Sequence, residues 1–239
     1  MKSLYSRLAG QWDTLFPPDS QRVLFLDELM LTSGARIIEV GCGTGATAIS
    51  LASLGHSVAA SDLDEDMIQL ARKSAGEGVE FSIDDMISAL QKVPSQSAHA
   101  VLCMGNTLPH LTAEGELEQF FQAAGDALLP GGSLVIQMLN YPRITALGSL
   151  QLPDLQGDGL TFRRKQTFDE TSGLIYFDTR VVAGNQKEQR RHNLRPFDVQ
   201  ELELAAEKAG LEPAGVFCDW KRSPFRDNNP WLVSLYEAL

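Results

Sequence analysis

The chain has 239 residues, of which 44% are hydrophobic, and its formal net charge is −11. This length predicts one domain, or one domain that carries an insertion, with enough apolar residues for a large core. The negative charge and the lack of a basic block disfavour a nucleic-acid partner, and no apolar run reaches the length of a membrane span.

The start of the sequence and its cysteines predict a cytoplasmic location. The amino-terminal residues lack the apolar stretch of a signal peptide. Three cysteines, Cys42, Cys103 and Cys218, lie in or beside predicted strands and lack the spacing of metal ligands. Buried thiols of this kind suit a reducing compartment. Because the spacing of metal ligands is missing, no metal site is predicted.

The first segment of the chain predicts a helical cap over residues 1–33. Residues 3–16 are amphipathic, and leucines form an apolar stripe on a helix predicted from Asp19 to Leu31. Aromatic side chains in such a segment are more often part of a core than of a binding site. The aromatic side chains of this amphipathic segment are those of Tyr5, Trp12 and Phe16.

Residues 37–62 carry the main motif. The β-branched run from Ile37 to Val40 predicts a short buried strand. Alternating glycines follow, and Thr44 is predicted to cap the next helix. A second strand is predicted to end at Asp62. The glycines of the turn are Gly41, Gly43 and Gly45.

This arrangement of strand, turn, helix and strand predicts a cofactor that contains a nucleoside. Glycines let the backbone turn sharply and let a ligand approach, and a helix N-terminus offers free N–H groups. The carboxylate of Asp62, about twenty residues beyond the turn, is placed to accept hydrogen bonds from ribose hydroxyls. The glycine pattern also fits dinucleotide-binding proteins, so by itself it leaves an NAD-dependent oxidoreductase open.

Glu39 favours one of these cofactors. It stands two residues before the first glycine, and E-V-G-C-G-T-G resembles the first motif of class I S-adenosylmethionine-dependent methyltransferases. In that family the acidic residue lies near the methionine part of the cofactor, where an ammonium group needs a counter-charge. A carboxylate at this position would repel the pyrophosphate of a dinucleotide. The alternative is a glutamate whose oxygens are satisfied by neighbouring backbone groups.

The resemblance implies the remaining cofactor contacts. In the family an acidic residue after the third strand binds the adenine amino group; Asp85 matches it better than Asp84. Apolar side chains enclose the adenine ring, and Gln21 or Arg22 is matched to the methionine carboxylate. The residues implied to bind S-adenosylmethionine, or the product S-adenosylhomocysteine, are Glu39, Gly41, Cys42, Gly43, Gly45, Asp62, Leu63, Asp85, Met86, Met104 and Trp12.

A second stretch bears on the methyl acceptor. Gly105-Asn106-Thr107 and the following L-P-H-L resemble glycine and sarcosine N-methyltransferases, and Leu139-Asn140-Tyr141 extends the likeness. The N-P-P-Y and D-P-P-Y signatures of base- and glutamine-modifying methyltransferases are absent. The resemblance implies methyl transfer to a small-molecule amine, although a lone histidine is more often structural. The residues implied to orient the acceptor are Asn106, His110, Tyr5 and Tyr141.

Two other functions stay open. One is an O- or C-methyltransferase on the same scaffold, and the other is a module that binds S-adenosylmethionine without catalysis. Residues 1–239 are predicted as one methyltransferase domain, which is a monomer or homodimer without a nucleic-acid or membrane partner.

The predicted fold class is α/β. It is a Rossmann-like, seven-stranded, mostly parallel sheet with helices on both faces and an antiparallel last strand. Residues 211–220 and 231–238 are predicted strands that pair antiparallel because no crossover helix separates them. Residues 142–197 predict a small antiparallel β lid insertion. Its predicted parts are a loop over 142–160 and strands over 161–168, 174–182 and 190–197.

In the first predicted lid strand, alternation places Arg164 on one face with Phe162, Gln166 and Phe168. The aromatic ends of this face predict that it points inward, which leaves the neighbouring basic residues Arg163 and Lys165 toward solvent. An inward guanidinium needs a partner, and its shape matches a carboxylate. That carboxylate belongs either to Asp178 on the next strand or to the acceptor. Arg164 is therefore predicted to bind an amino-acid-like substrate.

Overall fold

A computed structural model describes residues 8–30, 32–157, 159–184 and 186–239. Tyr5, predicted to orient the acceptor, lies outside these residues. The strands of the described chain, numbered along it, are β1 Arg36–Val40, β2 Ser57–Asp62, β3 Val79–Ile83, β4 Ala98–Cys103, β5 Leu128–Leu139, β6 Ser149–Gly157, β7 Leu160–Asp169, β8 Leu174–Ala183, β9 Gln186–Leu194, β10 Leu211–Phe217 and β11 Trp231–Ala238.

Helices connect most of these strands. They are α1 Trp12–Leu15, α2 Ser20–Leu29, α3 Ala46–Ser53, α4 Glu65–Ser74, α5 Met86–Gln91, α6 Glu116–Ala127, α7 Tyr141–Leu147 and α8 Val199–Lys208, with short 3₁₀ turns at Ala9–Gln11 and Leu108–His110. None of the helices within the described ranges combines the length and apolar character that a bilayer crossing requires.

Seven strands form one large sheet in the order β10-β11-β5-β4-β1-β2-β3. The β1–β5 strands run parallel to one another, whereas β11 pairs antiparallel with both β5 and β10. The predicted fold, including the antiparallel last strand, is confirmed. Because β1 and β4 are adjacent while the chain proceeds from them toward opposite edges, their carboxyl ends border a crevice, which is where ligands bind in such sheets.

Both faces of the large sheet are covered, so its central strands are apolar on both sides. One core cluster joins β4 and β5 to α6 and α8, and a second joins β1 and β2 to α2 and α3. Several helices begin at acidic caps that accept backbone N–H bonds, as at Asp64 and Asp198. Asp198 and Glu201 form a reciprocal capping box, which fixes the entry to the last crossover helix.

The lid is a separate antiparallel sheet in the order β6-β7-β8-β9. The prediction of a loop over 142–160 is wrong, because α7 and β6 occupy this stretch. Asn140 caps α7, and Pro142 stands in its first turn, where a proline is tolerated. Pro153 is accommodated because β6 is an edge strand, and β6 alternates half-buried leucines with exposed polar residues. The lid therefore has one strand more than predicted.

Candidate cofactor and acceptor site

The glycine turn follows β1 at the edge of the crevice. Gly41, Gly43 and Gly45 all have left-handed backbones, with φ of +68°, +57° and +75°, which glycine adopts without a steric penalty. A Cβ at Gly41 would collide with Thr107, and one at Gly45 would lie 2.5 Å from the Phe81 ring. Two of the three glycines are thus required by packing within the protein.

Gly43 differs, because its missing side chain faces the amino-terminal segment. A Cβ at Gly43 would lie 3.5 Å from Nε1 of Trp12. The Trp12 ring in turn contacts Phe16, with ring centroids 4.4 Å apart. The structure therefore brings Trp12 to the glycine turn, as its predicted role requires.

The prediction that Thr44 caps α3 is wrong. Gly45 occupies the N-cap position in a left-handed conformation, and α3 has no side-chain cap. The hydroxyl of Thr44 instead donates to Oδ1 of Asp13 at 2.5 Å. This bond ties the glycine turn to α1, and sequence reasoning missed it because no local pattern connects two residues so far apart.

Glu39 lies near the end of β1 with only 5% of its surface exposed. Its Oε2 atom is buried and has no hydrogen-bond partner among the described residues. Burial raises the pKa of Glu39 to about 7, while the Arg22 guanidinium and the N–H group of Ala48 oppose the shift. A buried carboxylate oxygen without a partner is suited to an incoming cation. The Oε2 atom of Glu39 thus suits the ammonium group of S-adenosylmethionine, which is the partner that the sequence predicts for this residue.

Asp62 is held rigidly beside the glycine turn. Its Oδ2 atom accepts a hydrogen bond of 2.8 Å from the Gly43 N–H, and Oδ1 accepts one of 2.9 Å from the Asp64 N–H. Burial raises the pKa of this carboxyl despite these bonds. The carboxylate has lone pairs beyond these two bonds, so it can still accept from a ligand hydroxyl.

The ends of β2 and β3 expose apolar side chains to solvent. Leu63 is 70% exposed and Ile83 is 45% exposed. Met86 is half-buried nearby, and Asp85 caps α5 by accepting from the N–H groups of Ile87 and Ser88. Asp84 is paired with Lys92, so both predicted acids already have partners within the protein. Ile83 was missed by sequence reasoning, which treated it as an ordinary strand residue.

Asn106 stands where β4 leaves the sheet, and its φ of +69° is uncommon for a residue with a side chain. Its Oδ1 atom accepts from the Leu139 N–H at 3.1 Å and from the Tyr141 hydroxyl at 3.0 Å. Gln137, a residue the sequence did not single out, accepts at 2.8 Å from the Gly105 N–H. These bonds fix the loop and bring two predicted acceptor residues, Asn106 and Tyr141, into contact.

Two other predicted site residues, Met104 and His110, lie against the core and the lid respectively. Met104 is 4% exposed and belongs to the core under β1 and β2. His110 contacts His192 of β9, with ring centroids 5.9 Å apart. Loss of hydration, followed by the influence of His192, lowers the pKa of His110. More than a third of His110 remains exposed, so solvent damps the shift, and only its direction is used.

The lid strand β7 has the predicted alternation. Phe162 and Gln166 are 1% and 0% exposed, and Arg163 and Lys165 face solvent. Arg164 is half-buried on the inner face, and its Nη2 donates to the Pro153 carbonyl at 3.0 Å. Its guanidinium lies 5.4 Å from the centroid of the Phe16 ring. Loss of hydration lowers the pKa of Arg164.

Asp178 is not the partner of Arg164. The strand register pairs Asp178 with Lys165 and pairs Arg164 with Thr179, so Asp178 lies on the outer face. Both of its oxygens bind Arg191, at 2.7 and 2.8 Å. The alternative that Asp178 supplies the carboxylate for Arg164 is therefore wrong, because residues directly opposite each other in a sheet share a face. Arg164 is left without a carboxylate within ion-pair distance among the described residues.

A line of side chains connects the two parts of the site. Trp12 lies at Gly43, Phe16 packs on Trp12, and Arg164 lies over Phe16. The amino-terminal segment thus separates the glycine turn from the inner face of the lid. Sequence reasoning identified Trp12 but not the bridging role of Phe16. No three His, Cys, Asp or Glu side chains of the described ranges are grouped so as to hold a metal ion.

Comparisons with known proteins relate this chain to methyltransferases. Residues 37–132 match the family model described as a methyltransferase domain. A ubiquinone biosynthesis O-methyltransferase of Xanthomonas axonopodis pv. citri is 31% identical over 147 residues, which are 57% of this chain and 59% of that protein. The chain thus spans less than two thirds of the length of this relative.

Solved structures extend the likeness over almost the whole chain. The CcbJ methyltransferase of Streptomyces caelestis has a TM-score of 0.79 and 26% identity, with 93% of this chain and 90% of that chain covered. The structure of S-adenosylmethionine-bound CalS10, an amino pentose methyltransferase of Micromonospora echinaspora, has a TM-score of 0.72 and 22% identity, with 98% and 99% covered.

These findings confirm the class I S-adenosylmethionine-dependent methyltransferase fold and the predicted cofactor. The finer resemblance, to glycine and sarcosine N-methyltransferases, stays a prediction. The roles of the individual site residues also stay predictions.

Proposed function

We propose that this chain transfers the methyl group of S-adenosylmethionine to an amine nitrogen of a small, polar, amino-acid-like acceptor. The observation that carries the proposal is the buried Glu39 carboxylate with an unpaired oxygen, beside a glycine turn held by Asp62. Neither group is explained by packing alone, and each matches one charged or polar part of this cofactor.

The proposed cofactor-binding residues form three groups, one each for the methionine, the ribose and the adenine of the ligand. Glu39 holds the ammonium group, and Arg22, whose Nε is buried without a partner, holds the methionine carboxylate. Asp62 accepts the ribose hydroxyls. The adenine lies against the exposed apolar side chains at the ends of β2 and β3, with Asp85 at its amino edge. When bound, the cofactor supplies a methyl group activated by its sulfonium.

The chain's own residues then position the acceptor. In-line displacement depends on alignment, for which roughly 7–11 kcal/mol of the barrier is available in principle. Asn106 and Tyr141, joined by a hydrogen bond, line the end of β4 and β5. His110 is neutral near pH 7, because its pKa is lowered, so it adds no positive charge beside the acceptor and its ring can accept a hydrogen bond from the amine N–H. Arg164 recognises the acceptor carboxylate from the lid.

The test has two steps. Thermal shift with S-adenosylmethionine, S-adenosylhomocysteine and NAD should show stabilisation by the first two and none by NAD. Transfer of a labelled methyl group to glycine, sarcosine and a set of larger amino acids should then show N-methylated products. Stabilisation by NAD alone overturns the cofactor assignment. Cofactor binding without transfer to any amine, or transfer only to phenolic or sugar hydroxyls, overturns the amine acceptor.

A further inference from the structure

The inner face of the lid is polar in the middle and apolar at both ends. At one end, Phe162 and Leu160 pack against Leu8 and Leu15 of the amino-terminal segment. At the other end, Ile175 and Leu194 join the core cluster that contains Tyr141. Between the two clusters the inward side chain of Phe177 on β8 is apolar, and the other inward positions of β7, β8 and β9 are polar. They are Arg164 and Gln166 on β7, Thr179 on β8, and Arg190 and His192 on β9.

Gln166 is the unusual member of this polar strip. The residue is 0% exposed, and neither its Oε1 nor its Nε2 atom has a hydrogen-bond partner among the described residues. Its neighbours in register are Leu150 and Phe177, which offer no polar side-chain atom. Buried side-chain amides are almost always paired, because a buried amide without a partner loses its hydration and gains nothing in return.

The position of Gln166 relates it to the acceptor. His192, in the same row of the lid sheet two strands away, contacts His110. On the other side, β7 is joined to the end of α7 by a bond of 2.8 Å from the Phe168 N–H to the Gly148 carbonyl. The α7 helix begins at Tyr141, which is bound to Asn106. Gln166 therefore lies on the part of the lid that covers the proposed acceptor residues.

We propose that Gln166 binds a neutral group of the acceptor that both donates and accepts hydrogen bonds, namely a hydroxyl or a carboxamide. This inference rests on the proposed function and narrows its substrate class. The side-chain amide carries one donor group and one acceptor group but no charge, so it complements such a group rather than an ion. Arg164, one position removed on the same inner face, takes the carboxylate. The acceptor is thus an amino-acid-like amine with a polar, uncharged side chain.

Two pairs of amino acids of equal shape test the inference. Threonine and valine differ by a hydroxyl against a methyl group, and asparagine and leucine differ by a carboxamide against an isopropyl end. The wild-type protein, assayed with labelled S-adenosylmethionine, should methylate threonine over valine or asparagine over leucine by about tenfold or more in kcat/KM, because an apolar analogue leaves the buried amide unpaired.

The Gln166→Met variant should abolish this preference while it leaves the affinity for S-adenosylhomocysteine unchanged. Methionine has the same unbranched shape as glutamine and lacks the amide. Gln189→Met is the matched control, because Gln189 is exposed on the outer face of the lid. A preference for valine and leucine, transfer to none of the four amino acids by a protein that binds S-adenosylhomocysteine, or a preference retained in Gln166→Met overturns the inference.

Thermal unfolding of the protein without acceptor supplies a readout that needs no substrate. If Gln166 is kept for a ligand, Gln166→Met should have a Tm equal to or above that of the wild type, because no internal hydrogen bond is lost. A lower Tm shows that the amide has a structural partner and overturns the inference. Failure of the wild type to bind S-adenosylhomocysteine would instead overturn the proposed function.

Discussion

The glycine turn and the inner face of the lid satisfy their polar groups in different ways. In the turn, the Gly43 N–H binds Asp62, the Cys42 N–H binds the Ser61 carbonyl at 2.9 Å, and Thr44 binds Asp13. On the lid, the Gln166 amide and the Nε atom of Arg164 are buried without partners. The turn is therefore assembled by its own contacts, whereas the polar groups on the inner face of the lid are the ones that we propose pair with the acceptor.

Glu39 is the exception among the polar groups at the glycine turn. Most polar groups of the turn are satisfied internally, but its Oε2 atom is left for a ligand. At the cofactor end one carboxylate oxygen is thus left without a partner among the described residues, whereas on the lid a guanidinium N–H and a neutral amide are. We expect changes at the turn to alter cofactor binding severely and changes on the lid to alter only acceptor kinetics.

The largest effect should come from Gly43→Val. A branched side chain is strained at φ of +57°, and its Cβ would lie 3.5 Å from Nε1 of Trp12, in the space beside the ligand. Binding of S-adenosylhomocysteine, measured by calorimetry, should be lost.

Gly210→Val is its matched control. Gly210 has a similar φ of +73° but no neighbour within 4 Å of an added Cβ. It should lose stability without losing ligand affinity. Circular dichroism must show that both variants are folded; normal binding by a folded Gly43→Val protein contradicts the placement of the ligand at this turn.

Asp62→Ala should weaken binding of S-adenosylmethionine by about 1.5–3 kcal/mol, the usual worth of hydrogen bonds to a charged group. It removes the proposed ribose acceptor and also releases the Gly43 N–H. Asp154→Ala, in an exposed ion pair on the lid, should leave the affinity unchanged. An unaltered dissociation constant in folded Asp62→Ala protein would refute the assignment.

Glu39 should make cofactor affinity depend on pH. Its pKa is raised to about 7, so the carboxylate is neutral below that pH and cannot pair with the ammonium group. Affinity should fall as the pH drops from 7.5 toward 5.5, by at most about tenfold per pH unit. Glu39→Gln should bind more weakly at pH 7.5 and show a flatter profile, because the amide does not titrate.

The sign of the accompanying stability effect is opposite. Because burial raises the pKa of Glu39 above its ordinary value of 4.5, the ligand-free protein should lose stability as the pH rises from 4.5 to about 7. Glu39→Gln should lose less over the same range. Parallel stability profiles for the two proteins would mean that the carboxylate is hydrated or paired in solution.

Arg164→Ala should have the smallest effect, and it should be confined to the lid. The KM for an amino-acid acceptor should rise about tenfold, as expected for the loss of one charge-assisted hydrogen bond, while cofactor affinity is retained. Arg163→Ala and Lys165→Ala, on the exposed face of the same strand, are the controls. If cofactor affinity falls instead, Arg164 acts by supporting Phe16, and carboxylate recognition is wrong.

The sequence predicted the cofactor end better than the lid for a physical reason. The turn, Glu39 and Asp62 are defined by residues close together in the chain, and their glycine spacing has few structural explanations. Alternation in β7 was also local, so the inward face of Phe162 and Gln166 could be predicted.

The errors arose where distant residues decide the structure. The partner of Asp178 depended on a strand register that the sequence does not specify, and the partner of Thr44 came from α1. The additional strand β6 was concealed by Pro153, which marks a loop unless the strand lies at an edge. The unpaired state of Gln166 follows only from packing in three dimensions.

The placement of α1 between the turn and the lid bears on the order of events in turnover. Trp12 of α1 lies at the turn while Phe16, the residue that follows α1, lies under Arg164, so one short segment forms a wall of both compartments. A wall shared in this way couples the exchange of one ligand to the presence of the other. We expect sequential kinetics with the cofactor bound first, so that the methylated product inhibits noncompetitively against the acceptor. Competitive inhibition by that product against the acceptor is the random-order pattern, and it would show that the compartments open independently.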